Sequence, residues 1–216
     1  MSYFWVFVVS AFSISIPCTL IVIRSGWIDR RYIPLAILLA TGLINECLSF
    51  LMISQFGTNL VNSNLYTLAE FFLVLWLFSR LNEQRAIGRY ALVISIGIGT
   101  WLIDNLLLHS LSSSNALFRI GSSFVIVWLS MNSINNLVFA GRKTLYQRAD
   151  LALGISFFIY YTYRTFIHTF NYIQSGSSSE LAITLWLILG VLNIITNLGL
   201  CLAILWMPKR QTYTLS

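Results

Sequence analysis

Seven apolar stretches, parted by short polar breaks, make up most of this 216-residue chain. They run from Tyr3 to Ile23, Ile33 to Ser54, Leu65 to Ser79, Ala91 to Leu108, Ala116 to Ala140, Leu151 to Tyr172 and Leu181 to Met207. Crossing the hydrocarbon core of a bilayer takes about 20 apolar residues of helix. Backbone groups in lipid must be satisfied within the segment itself, and a helix does this. The pattern predicts an all-α bundle of seven transmembrane helices, a single domain over residues 1–216. At fifteen residues the third stretch is short, so part of the preceding loop QFGTNLVNSN is expected to extend it. Pro34 opens the second stretch, where a missing N–H costs little, and Pro208 closes the seventh.

The breaks give the bundle a direction. Of thirteen Lys and Arg residues, eleven lie in alternate breaks: Arg24, Arg30 and Arg31; Arg80, Arg85 and Arg89; Arg142, Lys143 and Arg148; Lys209 and Arg210. The intervening breaks carry none. Basic loops stay on the cytoplasmic side, so the N-terminus is expected outside and the C-terminus inside, with the plasma membrane (a bacterial inner membrane) as the location. Trp5, Trp27, Trp101 and Trp206 fall near stretch ends, as an interfacial aromatic belt would place them.

Composition agrees, with 57% hydrophobic and 9% charged residues, where a soluble domain has about a quarter charged. The net charge of +6 belongs to the orienting loops. It implies attraction to anionic lipid rather than to nucleic acid. Cys18, Cys47 and Cys201 all lie in apolar stretches and read as packing residues. The first stretch lacks a basic n-region and an A-x-A site, so it is expected to persist as a helix.

The candidate chemistry lies in the titratable groups inside the stretches: Glu46, Glu70, Asp104, Arg119, Arg164 and His168. A charge at bilayer depth costs about 2.5–3.5 kcal/mol on insertion scales, so such groups face the interior and find partners. With the orientation above, all fall in the outer half or near the middle, which predicts one outward-facing polar pocket. Tyr160, Arg164 and His168 recur at i, i+4 and i+8 on one helix face. Glu46, Glu70, Asp104, Arg119, Tyr160 and Arg164 are therefore the candidate ligand-binding residues, with Glu46 at the floor. His168, near the surface, reads as a headgroup contact. The same charges also read as interhelical ion pairs without a ligand, and both readings stay open. The stripe Arg119, Ser122, Ser123, Ser130, Ser133 and Asn136 suits either a wet inward path or helix packing, and Gly190, Asn193, Asn197 and Cys201 suit packing.

No stretch contains a Lys for a retinal Schiff base, and no H-E-x-x-H, G-x-S-x-G or P-loop occurs. No catalytic residue, metal site or cofactor is expected.

The segment NLYTLAEFFLVLWLF, with WLID at Trp101–Asp104, Arg119 and the terminal LWLILGVLNIITNLGLCLAILW, resembles a group of bacterial (Bacteroidota-type) seven-helix membrane proteins with an LYTLxEF pattern in the third span. The matching polar positions are Glu70, Asp104, Arg119, Asn193 and Asn197. The resemblance implies the same topology and pocket placement and carries no activity. The expectation is a non-enzymatic sensor, receptor-like protein or accessory subunit with an outward polar pocket, working in the lipid bilayer with a partner membrane or signalling protein. The alternative is a secondary transporter or channel for a small polar solute or ion, with Glu46 or Glu70 as the protonatable group and Ser130, Ser133, Asn136 and Asn197 as the inward route.

Overall fold

The computed structural model describes residues 2–26, 28–81, 87–113, 115–139, 145–173 and 179–208. Trp27, Arg85, Arg142, Lys143, Lys209, Arg210 and the side chain of Arg89 lie outside the described residues. The described chain is helical throughout: α1 (Ser2–Phe12), α2 (Ser15–Ile23), α3 (Ile33–Phe56), α4 (Leu60–Leu81), α5 (Ile87–Leu102), α6 (Ala116–Phe139), α7 (Leu145–Ile173) and α8 (Ser179–Trp206). Six segments are long and apolar enough to cross a membrane, α1 and α2 together forming the first. This is the build of a multi-pass membrane protein. Helix α7 is long enough, at 29 residues, but its Tyr, Thr, Arg and His content makes it the least apolar of the set.

Boundaries follow local chemistry. Helix α4 begins at Leu60, so the Asn-rich loop does extend the short third stretch. Gly57 ends α3 in the left-handed region at φ 71°, its N–H returned to Ile53 O at 3.0 Å; a residue without Cβ takes that conformation at no steric cost. The first stretch breaks at Ser13 and Ile14 because Pro17 has no N–H for the carbonyl of Ser13 and its ring crowds it. Ser13 instead turns its hydroxyl onto Ser10 O at 2.7 Å.

That break is closed by α8. Asn197 donates to Ser13 Oγ at 2.7 Å, and Asn193 donates to Ser10 O at 3.0 Å and to its hydroxyl at 3.2 Å. The small-polar stripe of α8 is thus a packing surface against the kinked first segment. Further along, Gly199 allows α8 to approach α7 so closely that a Cβ there would run into Ser156.

The Ser stripe of α6 also packs. Ser122, Ser123, Ser130 and Ser133 are buried, Ser130 bonds its own Ile126 O at 2.8 Å, and Gly154 of α7 lies against Ser130 and Ile134. Asn136 faces outward. The stripe reads as a helix seam and not as a wet path.

Toward the end carrying Arg24 and Arg31, hereafter the basic end, the interior is dry. Leu35, Leu77, Phe78, Leu153, Ala203 and Ile204 have no measurable exposure and belong to one apolar cluster. Polar contacts close this end. Arg31 pairs with Asp150 at 2.5 Å while Tyr32 donates to the other carboxylate oxygen at 2.8 Å. Arg24 donates to Ile204 O and Leu205 O at 2.6 and 2.7 Å, supplying donors to carbonyls in the last turn of α8, where intrahelical partners run out. Arg24 and Arg31 therefore fasten helices together, beyond any part in orienting the chain.

Candidate functional site

The other half of the bundle holds a chamber of 280 Å³ lined by the first segment, α3, α4, α6, α7 and α8. Its walls include Glu46, Glu70, Arg119, Tyr160 and Arg164, five of the six residues singled out from the sequence. His168 lines it as well. It is 8% exposed, with its ring edge-on to Trp186 at 5.9 Å, so the expected headgroup contact is replaced by an inward one.

Glu70 and Arg164 form the anchor. Arg164 Nη1 donates to Glu70 Oε2 at 2.6 Å, with both side chains nearly buried. The guanidinium also lies over the rings of Tyr160 and Tyr161, at 5.9 and 5.4 Å from their centroids. The two rings meet edge to face at 5.2 Å. Delocalised charge on a planar group suits aromatic faces, so these tyrosines hold Arg164 on the sides that Glu70 leaves open.

Arg119 has different company. Its Nη2 donates to Ser63 Oγ at 2.9 Å and Asn64 Oδ1 at 2.8 Å, both neutral acceptors. Among the described residues Glu46 accepts from Asn45 Nδ2 alone, at 3.4 Å. The chamber therefore holds one neutralised ion pair, one cation and one anion whose described partners are all neutral. In the same wall Thr196 is 6% exposed and its hydroxyl has no hydrogen-bond partner among the described residues, an uncommon state for a buried polar group.

Asp104 is the exception among the expected site residues. It does not line the chamber. Helix α5 ends in a π-helical turn, Ile103–Leu108, which wedges an extra residue into the turn and re-aims its side chains. Asp104, 1% exposed, thereby accepts from the Phe118 amide at 2.8 Å and contacts His109 Nδ1 at 3.0 Å. Phe118 is the third residue of α6, where an N–H lacks an intrahelical acceptor and a negative charge is favoured. Asp104 is a helix cap delivered from another helix. Trp101 is half-buried, its Nε1 donating to Asn64 O at 3.2 Å near the start of α4.

Asn64 is the residue the sequence reading missed. Its amide nitrogen donates to Leu111 O at 2.9 Å and Ser113 O at 3.0 Å, while its amide oxygen accepts from Arg119. One buried side chain thus ties a chamber cation to the α5–α6 loop. Nothing in an Asn-rich loop marks one Asn among several, and only the extension of α4 across it brings Asn64 inside. Asn45 and Asn62 act similarly near Glu46: Asn62 donates to Asn45 Oδ1 at 2.9 Å and Ser49 Oγ at 3.1 Å.

No family model matches the chain, and no curated protein or solved structure was found similar to it. The likeness to the bacterial seven-helix group rests on its motif residues alone.

Replacing Asp104 with Ala is expected to lower stability by about 1–2 kcal/mol, the scale of a lost helix cap, while Asp104→Asn, which keeps an acceptor, loses less. Thermal unfolding in detergent measures this. Ligand binding in the chamber should be unchanged in both variants.

Proposed function

We propose that this protein is a non-enzymatic, receptor-like or accessory membrane subunit that binds a small polar ligand in the chamber. The observation that carries the reading is the uneven use of charge: Glu70 neutralises Arg164, while Arg119 and Glu46 face the same cavity on neutral partners. An ion pair serving only to hold helices together does not require a second cation and a second anion beside it. The unpartnered Thr196 hydroxyl adds a donor in the same wall. Because Arg119 shares Asn64 with the α5–α6 loop, a ligand that draws Arg119 away loosens a loop outside the chamber. That is a route for passing a signal to a partner protein.

Seven crossings, with α7 as the additional one, and a bacterial inner-membrane orientation with the N-terminus outside complete the proposal. The chamber then opens toward the extracytoplasmic side. The membership suggested by the LYTLxEF-type motif is part of the same reading. Transport is the weaker alternative, because the half of the bundle beyond Phe157 and Leu200 is packed mainly with apolar side chains, and the buried Ser130 and Ser133 among them sit in the α6–α7 seam, Ser130 bonded to its own helix.

Three measurements test this. Thermal unfolding of the purified protein with millimolar small carboxylates, phosphates and zwitterions should show stabilisation by at least one, about 2.7 kcal/mol at one hundred times Kd. Arg119→Gln should lose that shift. Proteoliposomes should not accumulate the stabilising compound, and accumulation blocked by Glu70→Gln would establish transport instead. With the native cysteines replaced, a cysteine at Ser112 should react with an impermeant maleimide on intact cells and one at Ser25 only after lysis.

A further inference from the structure

Beside the chamber lies a second depression of 270 Å³, set between α1 and α3. Its walls are mainly apolar, formed by Phe4, Phe7, Phe12, Phe50 and Ile53 among others. All of these except Phe12 are among the exposed large hydrophobics, so the groove opens on the outer surface of the bundle, where lipid would lie. Phe12 and Phe50 meet across it edge to face at 6.5 Å. Ala11 and Glu46 belong to the walls of both cavities. A carboxylate thus stands where the apolar groove meets the polar chamber, and Arg119 lines only the chamber beyond it.

That sequence of surfaces has a chemical complement. An acyl chain suits the groove, a cationic nitrogen suits Glu46 at the junction, and an anionic group suits the guanidinium fork of Arg119 further in. The order matters. A head in which the anion precedes the cation would put phosphate against Glu46 and ammonium against Arg119, two repulsions in place of two attractions. We propose that groove and chamber together form one site for a single-chain zwitterionic amphiphile whose ammonium lies nearer the chain than its phosphate or carboxylate, taken sideways from the bilayer between α1 and α3. The proposal rests on the chamber being a ligand site and names its ligand class.

The test uses the full chain in phosphatidylcholine nanodiscs, with binding read by native mass spectrometry. Three probes are compared: sphinganine 1-phosphate (chain, ammonium, phosphate), lysophosphatidylethanolamine (chain, phosphate, ammonium) and chain-free phosphoethanolamine. Sphinganine 1-phosphate should bind at least tenfold tighter than lysophosphatidylethanolamine. Glu46→Gln should weaken it about tenfold, the scale of one lost charge-assisted contact, and narrow the preference for head order to what Arg119 alone enforces. Val8→Trp fills the groove without touching the chamber walls and should abolish amphiphile binding while leaving phosphoethanolamine binding intact; Ser54→Trp, on the facing helix, should do the same. Equal binding of both head orders, or amphiphile binding unchanged in both tryptophan variants, overturns the proposal. Binding of phosphoethanolamine without either amphiphile removes the groove from the site and leaves the chamber standing. Binding of none of the three overturns the proposal, and the chamber reading falls with it only if the small carboxylates, phosphates and zwitterions also fail to stabilise the protein.

Discussion

Glu70 and Arg164 carry opposite charges into a part of the bundle where either one alone would be costly. Removing a single charge from water and placing it among helices has a penalty of several kcal/mol that only a well-placed partner offsets. The contact at 2.6 Å therefore fixes the rotation of α4 and α7 about their own axes. Once those faces are set, Tyr160, Tyr161 and His168 must also face inward, because they share the Arg164 side of α7. Tyr66 and Thr67 come to the wall with Glu70 on α4. The chamber is what remains between helices held apart by these side chains.

The bundle is divided along its length. At the basic end, large apolar side chains interlock around a few buried serines of the α6–α7 seam, and the charged groups sit at the rim, where Asp150 gathers Arg31 and Tyr32. In the other half, Asn, Ser, Thr and charged groups replace them, and many of their hydrogen bonds run between helices or from helix to loop. Packing of the first kind is tight and short-ranged, whereas bonded networks of the second kind have alternative partners available to them. Arg119 and Asn64 are the clearest case, since a ligand oxygen can replace the Asn64 oxygen without leaving the guanidinium unsatisfied. The polar half is thus the half able to respond to what binds.

The all-helical build and the rough placement of the apolar helices were legible from the sequence because they depend on hydrophobic length, which averages over many residues. The Glu46, Glu70, Arg119 and Arg164 grouping was legible too, since charges in apolar stretches have few places to go. Asp104 was not. A π-helical turn at Ile103–Leu108 alters the periodicity on which the face assignment rests, and no residue in IDNLLL announces it. His168 was misjudged because proximity to a helix end says nothing about which side of the helix it occupies. Nor was the pairing itself legible: the sequence leaves the partners of the charges unassigned, and only the packing of the helices brings Arg164 to Glu70. Asn64 became important through contacts with a loop some fifty residues away, which local pattern does not record.

A double-mutant cycle on Glu70 and Arg164 tests the central claim most directly, with Glu70→Gln, Arg164→Gln and the combined variant compared by denaturant unfolding in mixed micelles. Each single change is expected to cost about 3–5 kcal/mol by stranding the opposite charge, and the combined change markedly less than the sum, with a coupling of about 2 kcal/mol or more. Additive losses, or single variants as stable as the parent, would show that this pair does not set the helix faces and would contradict the account.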